Sequence, residues 1–295
     1  MTSVGVLAHS AKSMGGGLGE LRKVLSSYGV NDPPWHEVEK SRFIPDRASE
    51  LVEAGADLIF VWGGDGTVQQ AIDALVGSPV TVAIMPAGTA NLLATNLGIP
   101  KDLEEAVKVG LHGGRTDLDL GKLNGEHFAV MGGAGLDAFM LRDADAGLKD
   151  RVGRIAYAWT GAKNVDRRPI KTRIDVDGER WFTGETSCVL IGNVGDVIGG
   201  LSAFPDASPT DGFLEIGVVT ADGALEWART LGRAAVGDVS GSPFVDTTTG
   251  GRFDVRFDVA TPYELDGSDR KKTKRMKVKI RPAAITICVP EVVET

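Results

Sequence analysis

The chain has 295 residues and a formal net charge of −8, with 42% hydrophobic and 24% charged residues. That length suggests about two ordinary domains, and the composition is that of a soluble globular protein. The acidic balance argues against a nucleic-acid partner, two cysteines argue against a disulfide framework, and no apolar run approaches the ~18 residues that a spanning helix needs.

Val4 to Ala8 reads as a strand at the very start, without the basic and apolar regions of a signal peptide, so a cytoplasmic location is expected. Leu18 to Tyr28 predicts a helix stopped by Gly29. Asp46 to Ala54 predicts another, and Asp57 to Trp62 a buried strand. Val68 to Val76 is a helix closed by Gly77 and Pro79, and Val80 to Met85 is the next strand. Asn91 to Leu97 and Leu103 to Leu111 complete an alternation of strand and helix, the mark of an α/β layer structure.

After Gly114 the pattern changes. Leu118 to Leu123, His127 to Met131, Thr172 to Val176, Thr186 to Ile191, Leu214 to Val219 and Arg252 to Val259 are short runs separated by turn residues, as in antiparallel β structure. Helices are expected near Asp150 to Val165 and Leu225 to Val236. The boundary is set near residue 120. Cys188 and Cys288 lie in apolar runs, as buried thiols would, and His9, His36, His112 and His127 lack zinc-ligand spacing.

Two strand-to-helix junctions carry the chemistry. In Gly63-Gly64-Asp65-Gly66-Thr67, the glycines allow a tight turn and close approach of a ligand to the backbone, and the next helix aims free N–H groups at that turn. Asp65 puts a carboxylate there to bind Mg²⁺ or orient a hydroxyl. Thr67 is a donor to phosphate or a helix cap. A plain strand–turn–helix connection capped by Asp65 is the alternative. The second junction, Met85-Pro86-Ala87-Gly88-Thr89-Ala90-Asn91, ends at the same side of an open α/β sheet, so Thr89 and Asn91 are expected to meet the same phosphates or, alternatively, to cap the helix at Leu92. Asp117 and Asp119 share one face of a strand, where they would join a metal or water network or be solvated. Arg270 to Arg281 is strongly basic. Its Arg270 to Arg275 part is expected at a hairpin tip, and Lys277, Lys279 and Arg281 on one face of a strand. Such a patch would dock on an anionic leaflet or simply be solvated.

These motifs resemble the bacterial diacylglycerol and related lipid kinases. GGDGT and PAGTAN match in the first half. In the second half DLDLGKLNGEHFAVMGGAGLDA, LKDRVGRIAYAW, IGNVG and FPDASPTDGFLEIGVV match. The resemblance implies an α/β nucleotide-binding domain of the NAD-kinase/diacylglycerol-kinase kind over 1–120, to which about 282–295 returns. It also implies a mainly antiparallel β-sandwich domain over 121–281 on the lipid side of a cleft. It implies ATP bound by Gly63, Gly64, Asp65, Gly66, Thr67, Gly88, Thr89 and Asn91. Structural Mg²⁺ would be held by the Asp211 side chain and the carbonyls of Ser208 and Phe213, hard oxygen donors suited to that ion; an ordinary turn before a strand is the alternative at Asp211. The expected partners are a lipid acceptor at a membrane surface, anionic lipid through Arg270–Arg281, no nucleic acid, and, as an option, a second copy in a homodimer.

The sequence departs from the family pattern at several places. Leu92 follows GTAN in place of Asp, and Gln69 and Gln70 stand for Asn and Glu. The first phosphate loop reads His9 to Gly17 without Asn-Pro. The Leu-Asp-Gly-Glu motif becomes Leu265-Asp266-Gly267-Ser268, which removes the proposed general base. Asp266, Asp269 and Asp65 are the candidate carboxylates in its place, Asp269 through a slipped turn. The reading is therefore an ATP-dependent lipid kinase acting on diacylglycerol or a related lipid. The alternatives are a soluble-substrate kinase of the same superfamily and a nucleotide-binding protein with weak or no catalysis.

Overall fold

A computed structural model describes residues 2–135, 169–198, 201–235 and 241–291. The helix expected near 150–165 lies outside these residues. The chain divides into two compact units, one comprising residues 1–120 and 281–295 and the other Gly121–Ile280.

The first unit is a parallel sheet covered by helices. In chain order it contains β1 (Val4–His9), α1 (Leu18–Ser27), β2 (Trp35–Val38), α2 (Ile44–Glu53), β3 (Leu58–Gly63), α3 (Asp65–Leu75), β4 (Thr81–Pro86), α4 (Leu92–Asn96), α5 (Leu103–His112) and the start of β5 (Gly114–Leu123). The strand order is β2–β1–β3–β4, all parallel, with Thr286 and Ile287 of the last strand, β16 (Ser268–Val289), alongside β4. β3 and, apart from His9 at its end, β1 are apolar because both of their faces are buried.

Alternation along the strands sorts their side chains. Val6, Ala8, Phe60 and Trp62 pack with Leu21 and Leu25 of α1 and with Ala106 and Val107 of α5. Gly5, on the other face, lies against Leu51 of α2, and a Cβ there would come within 3.1 Å of it. The chain thus crosses to opposite faces after β1 and after β2, while β2 and β3 flank β1 on opposite sides. That reversal opens a crevice at the carboxyl ends of β1 and β3, where ligands bind in open α/β sheets. β2, with the polar sequence Trp-His-Glu-Val, carries no strand-like pattern and was not expected.

The second unit is antiparallel. It holds the end of β5, β6 (Glu126–Phe128), β7 (Met131–Ala134), β8 (Ile170–Val176), β9 (Glu179–Thr186), β10 (Cys188–Gly192), β11 (Asp196–Ile198), β12 (Leu201–Ser202), β13 (Leu214–Val219), α6 (Ala224–Ala235), β14 (Val245–Gly250), β15 (Arg252–Leu265) and most of β16. The order β14–β13–β10–β7–β15–β16 is joined by β8 beside β15 and β9 beside β8. β15 changes partner along its length. Phe253–Phe257 pair with β8 and Tyr263–Leu265 with β7, on either side of a register break between Arg256 and Thr261. Phe253, Val255, Met276 and Val278 meet Val189, Ile191, Leu214 and Ile216 in the core.

Two of the expected strands are each split in two, at residues 129–130 and at Ser187. The basic cluster also differs from expectation. Arg270 to Arg275 are part of β16, and the tip of the hairpin is Asp266-Gly267, both at positive φ, the two-residue turn that suits strand twist. Cys188 and Cys288 are buried free thiols, and burial pushes the Cys288 thiol up to about 11. Among the described residues no helix is long and apolar enough to cross a membrane.

Candidate phosphate-binding site

β3 runs straight into α3. Gly64 is the extended residue before the helix, and its carbonyl accepts the N–H groups of Thr67 (2.9 Å) and Val68 (3.0 Å). Asp65 and Gly66 are the first helical residues, where backbone N–H groups have no partner within the helix. Thr67 is buried against Gly63, whose added Cβ would lie 2.4 Å from the Thr67 Cβ. Its side chain therefore packs the turn, which leaves phosphate contact to the backbone.

The second turn touches the first. A Cβ on Gly88 would lie 2.4 Å from the Cα of Gly64, so only paired glycines allow this approach. Asp65 links the two turns covalently distant in the chain: its carboxylate accepts the N–H of Asn91 (2.9 Å) and of Leu92 (2.5 Å), at the entry to α4. Burial raises the Asp65 pKa, and the bonds from Leu92 and Asn91, its own N–H and the Lys12 charge pull it back. The expected metal or hydroxyl carboxylate is thus first a strut between turns.

Asn91 sits at φ +51 and is buried. Its side-chain oxygen accepts Gly88 N–H (2.9 Å), and its amide donates to the carbonyls of Pro86 (3.2 Å) and Gly88 (2.8 Å). Both amide hydrogens are used inside the loop, so Asn91 shapes the turn rather than contacting phosphate through its side chain. Thr89 is exposed and makes no hydrogen bond among the described residues.

The loop after β1 forms the third wall. His9 is buried, its Nδ1 accepts Ala11 N–H (3.3 Å), and its pKa is lowered by burial first and the Lys12 charge second. The indole of Trp62 donates to the Lys12 carbonyl (3.0 Å), tying this loop to the end of β3. Lys12 and Trp62 were not among the predicted site residues. The glycine-rich basic composition of residues 9–17 was the available signal.

Elsewhere the predicted residues have other work. Asp119 accepts Ala283 N–H (2.8 Å) and Asp117 the Thr286 hydroxyl (2.6 Å), so both tie β5 to the end of β16. The Asp266 carboxylate is buried and accepts three backbone N–H groups, from Ala129 (2.9 Å), Val130 (3.0 Å) and Met131 (2.9 Å). That makes it an anchor for the hairpin and leaves it poorly suited as a base. The turn has no slip: Leu265 faces Ser268 and Glu264 faces Asp269. Ser268 and Asp269 therefore project to opposite faces of β16, and Asp269, which is exposed, does not substitute for the missing Glu.

Ser208, Asp211 and Phe213 lie in one loop ahead of β13. Asp211 accepts Phe213 N–H (2.9 Å), and Gly212 has φ +83. Glu215 is pushed up to about 7, by burial first and then by the charges of Asp211 and Asp206. Among the described residues no three acidic, His or Cys side chains converge on a metal position. The loop nevertheless concentrates negative charge that a hard cation would relieve. A set of one carboxylate, carbonyls and water fits Mg²⁺.

Glycine turns and a helix entry at the crevice of a parallel α/β sheet, joined in one chain to an antiparallel β unit, fit the phosphate-binding class of α/β proteins. Residues 9–123 match the diacylglycerol kinase catalytic domain, and residues 130–289 match the YegS C-terminal NAD kinase beta sandwich-like domain. The chain belongs to this diacylglycerol kinase/YegS family of lipid kinases. It is 29% identical over 224 residues to the diacylglycerol kinase of Bacillus subtilis (strain 168), covering 75% of this chain and 74% of that one. It is 28% identical over 262 residues to the probable lipid kinase YegS of Escherichia fergusonii, covering 87% and 84%. Its fold is similar to that of a putative diacylglycerol kinase from Bacillus anthracis str. Sterne (TM-score 0.81, 22% identity, 99% and 98% covered). It is also similar to that of an NAD kinase from Archaeoglobus fulgidus in complex with ATP (TM-score 0.52, 10% identity, 98% and 94% covered).

Proposed function

We propose that the protein transfers the γ-phosphoryl group of Mg·ATP to a hydroxyl of a membrane lipid, diacylglycerol or a close relative. The observation that carries this reading is the contact of Gly64 with Gly88 beneath the Asp65 strut, because it brings two helix entries to one crevice. The first N–H groups of α3 and the backbone at Gly88 and Thr89 would hold phosphate oxygens, favoured by the positive end of α3. Lys12 would add a mobile positive charge from the β1 loop. Asp65, held in place by Asn91 and Leu92, would keep both turns in register and present its remaining lone pairs to the reacting groups.

Bound Mg·ATP would supply the transferable phosphoryl group and a cation to spread its charge. A second Mg²⁺ at Asp211, Ser208 and Phe213 would be structural. The lipid hydroxyl must lose its proton as its oxygen bonds to phosphorus and the bond to ADP breaks. Ser268 cannot accept that proton at neutral pH. A loose transition state demands little of a base, so transfer is expected to be slow rather than absent. The Ser268 position also favours, as a second reading, a nucleotide-binding protein with little catalysis.

Incubating the protein with Mg²⁺, radiolabelled ATP and dispersed membrane lipids separates the two. Label in a lipid product, most directly phosphatidic acid, supports the kinase reading. Tight ATP binding with no label in any lipid supports the second. Label only in water-soluble acceptors would point to a soluble-substrate kinase.

A further inference from the structure

We propose that the outer face of β8, β15 and β16 in the second unit is a docking surface for an anionic lipid leaflet. Strand register puts Arg173, Arg256 and Arg275 directly opposite one another in a row across three strands. The next row is Asp175, Asp254 and Lys277, and beyond it Arg252 faces Lys279. Directly opposed residues share a face, and the alternate residues Val255, Met276 and Val278 are in the core, so the charged set is fixed outward.

Like charges opposed across strands repel. Here the two aspartates absorb the strain. Asp254 accepts Arg275 through both oxygens (2.6 and 2.5 Å) and Arg256 (2.7 Å). Asp175 takes Arg180 (2.5 Å) and lies 3.9 Å from Arg173. The Arg275 bond, the largest effect, with that of Arg256 holds the Asp254 carboxyl well below the usual carboxylate range, so it stays charged. The arginines are thereby ordered before any ligand arrives, and Asp175 and Asp254 are neutralised within the face, which leaves Asp258 as its exposed carboxylate. Arg252, Lys277 and Lys279 are exposed and have no ion pair among the described residues.

Charge complementarity selects the partner. The chain is acidic overall at −8, so this face reverses the local sign. It is a sheet surface with no aromatic side chain among the outward residues that flank Arg173, Arg256 and Arg275 to stack on a base, which favours a leaflet over a nucleic acid. Val259, 52% exposed where β15 breaks register, adds an apolar contact at its border. The use of such a face rests on the lipid-acceptor reading above, since an acceptor held in a bilayer requires the enzyme to work at that surface.

The test is co-sedimentation with phosphatidylglycerol-containing and pure phosphatidylcholine vesicles, using the parent and an Arg252→Thr, Lys277→Thr, Lys279→Thr variant. A control removes the same charge elsewhere through Lys23→Thr, Lys40→Thr and Lys101→Thr. Each Lys or Arg near an anionic surface is worth about fivefold in partitioning, so the triple variant should bind anionic vesicles roughly a hundredfold more weakly at low salt. The control should bind almost as the parent does, and added salt should narrow the gap. Equal binding by the parent and the triple variant, or equal losses in both variants, would overturn the proposal. So would a parent that prefers RNA to vesicles through the same three cations. Phosphorylation of a detergent-dispersed short-chain acceptor, measured in parallel, should be unchanged in the triple variant. If no protein labels that acceptor, the kinase reading fails while the vesicle result still decides the face.

Discussion

A side-chain carbon on Gly88 would lie 2.4 Å from the Cα of Gly64, closer than any real contact of that kind. The clash would be with backbone, which cannot swing aside as a flexible side chain does. Gly88→Ala must therefore push the two turns apart and move the N–H groups that face the crevice. The expected result is about a tenfold or greater loss of ATP affinity, since small misplacements of a site are costly, with the thermal unfolding transition still cooperative. Isothermal titration with ATP checks this. Parent-like affinity would mean that these turns do not form the nucleotide cradle.

Asp266→Asn separates anchoring from catalysis. The change leaves one acceptor oxygen and turns an NH₂ group toward backbone donors that are buried. The variant should lose about 3 kcal/mol of stability, at the upper end for an unmet buried polar group. Urea denaturation reads this loss directly. The rate per folded molecule should stay within a few-fold of the parent. A stable variant with no activity would restore a chemical role to Asp266.

Much of this was legible because the relevant constraints are local. Short apolar runs such as Leu58 to Trp62, rich in β-branched and aromatic residues and bounded by turn residues, read as buried strands, and the glycine turns beside them announce a close approach. The antiparallel character after Gly114 followed from short alternating runs. Side-chain partners were not legible. Asp65 meets Asn91 and Leu92, and Asp266 meets Ala129 to Met131, through contacts between distant chain segments, and no spacing rule encodes them. The same holds for Asp119, whose partner is Ala283, and for the Trp62 bond to Lys12. Arg270 to Arg275 misled because dense charge suggests a solvated tip, whereas the glycine at 267 with Asp266 makes the turn.

The loop at Asp211 is expected to bind Mg²⁺ without touching the phosphate crevice. Millimolar-range Mg²⁺ should raise the melting temperature of the parent by a few degrees, of the order that ligand linkage gives. Asp211→Ala should remove that rise. An identical Mg²⁺-dependent shift in both proteins would show that the ion binds elsewhere.

Ser268 stands where the family motif carries Glu, and the unslipped turn puts Asp269 on the other face of β16. Ser268→Glu should therefore raise the initial rate on dispersed diacylglycerol by about a hundredfold, the lower end of the range for a positioned base. The gain should appear in kcat with ATP affinity unchanged. A slower variant would mean that another group already serves as base.

Asp65 tests the central claim, because its carboxylate joins the two turns and is the acidic group within the proposed crevice. Asp65→Asn keeps the shape but presents NH₂ to one of the two N–H groups that the carboxylate now accepts. The measurement is initial-rate transfer of label from ATP to dispersed diacylglycerol by the parent and by Asp65→Asn, with folding of each verified by its unfolding transition. The account predicts measurable transfer by the parent and at least about a hundredfold less by the folded variant, comparable to the loss of a preorganised electrostatic contact. Near-parent transfer by folded Asp65→Asn would contradict it.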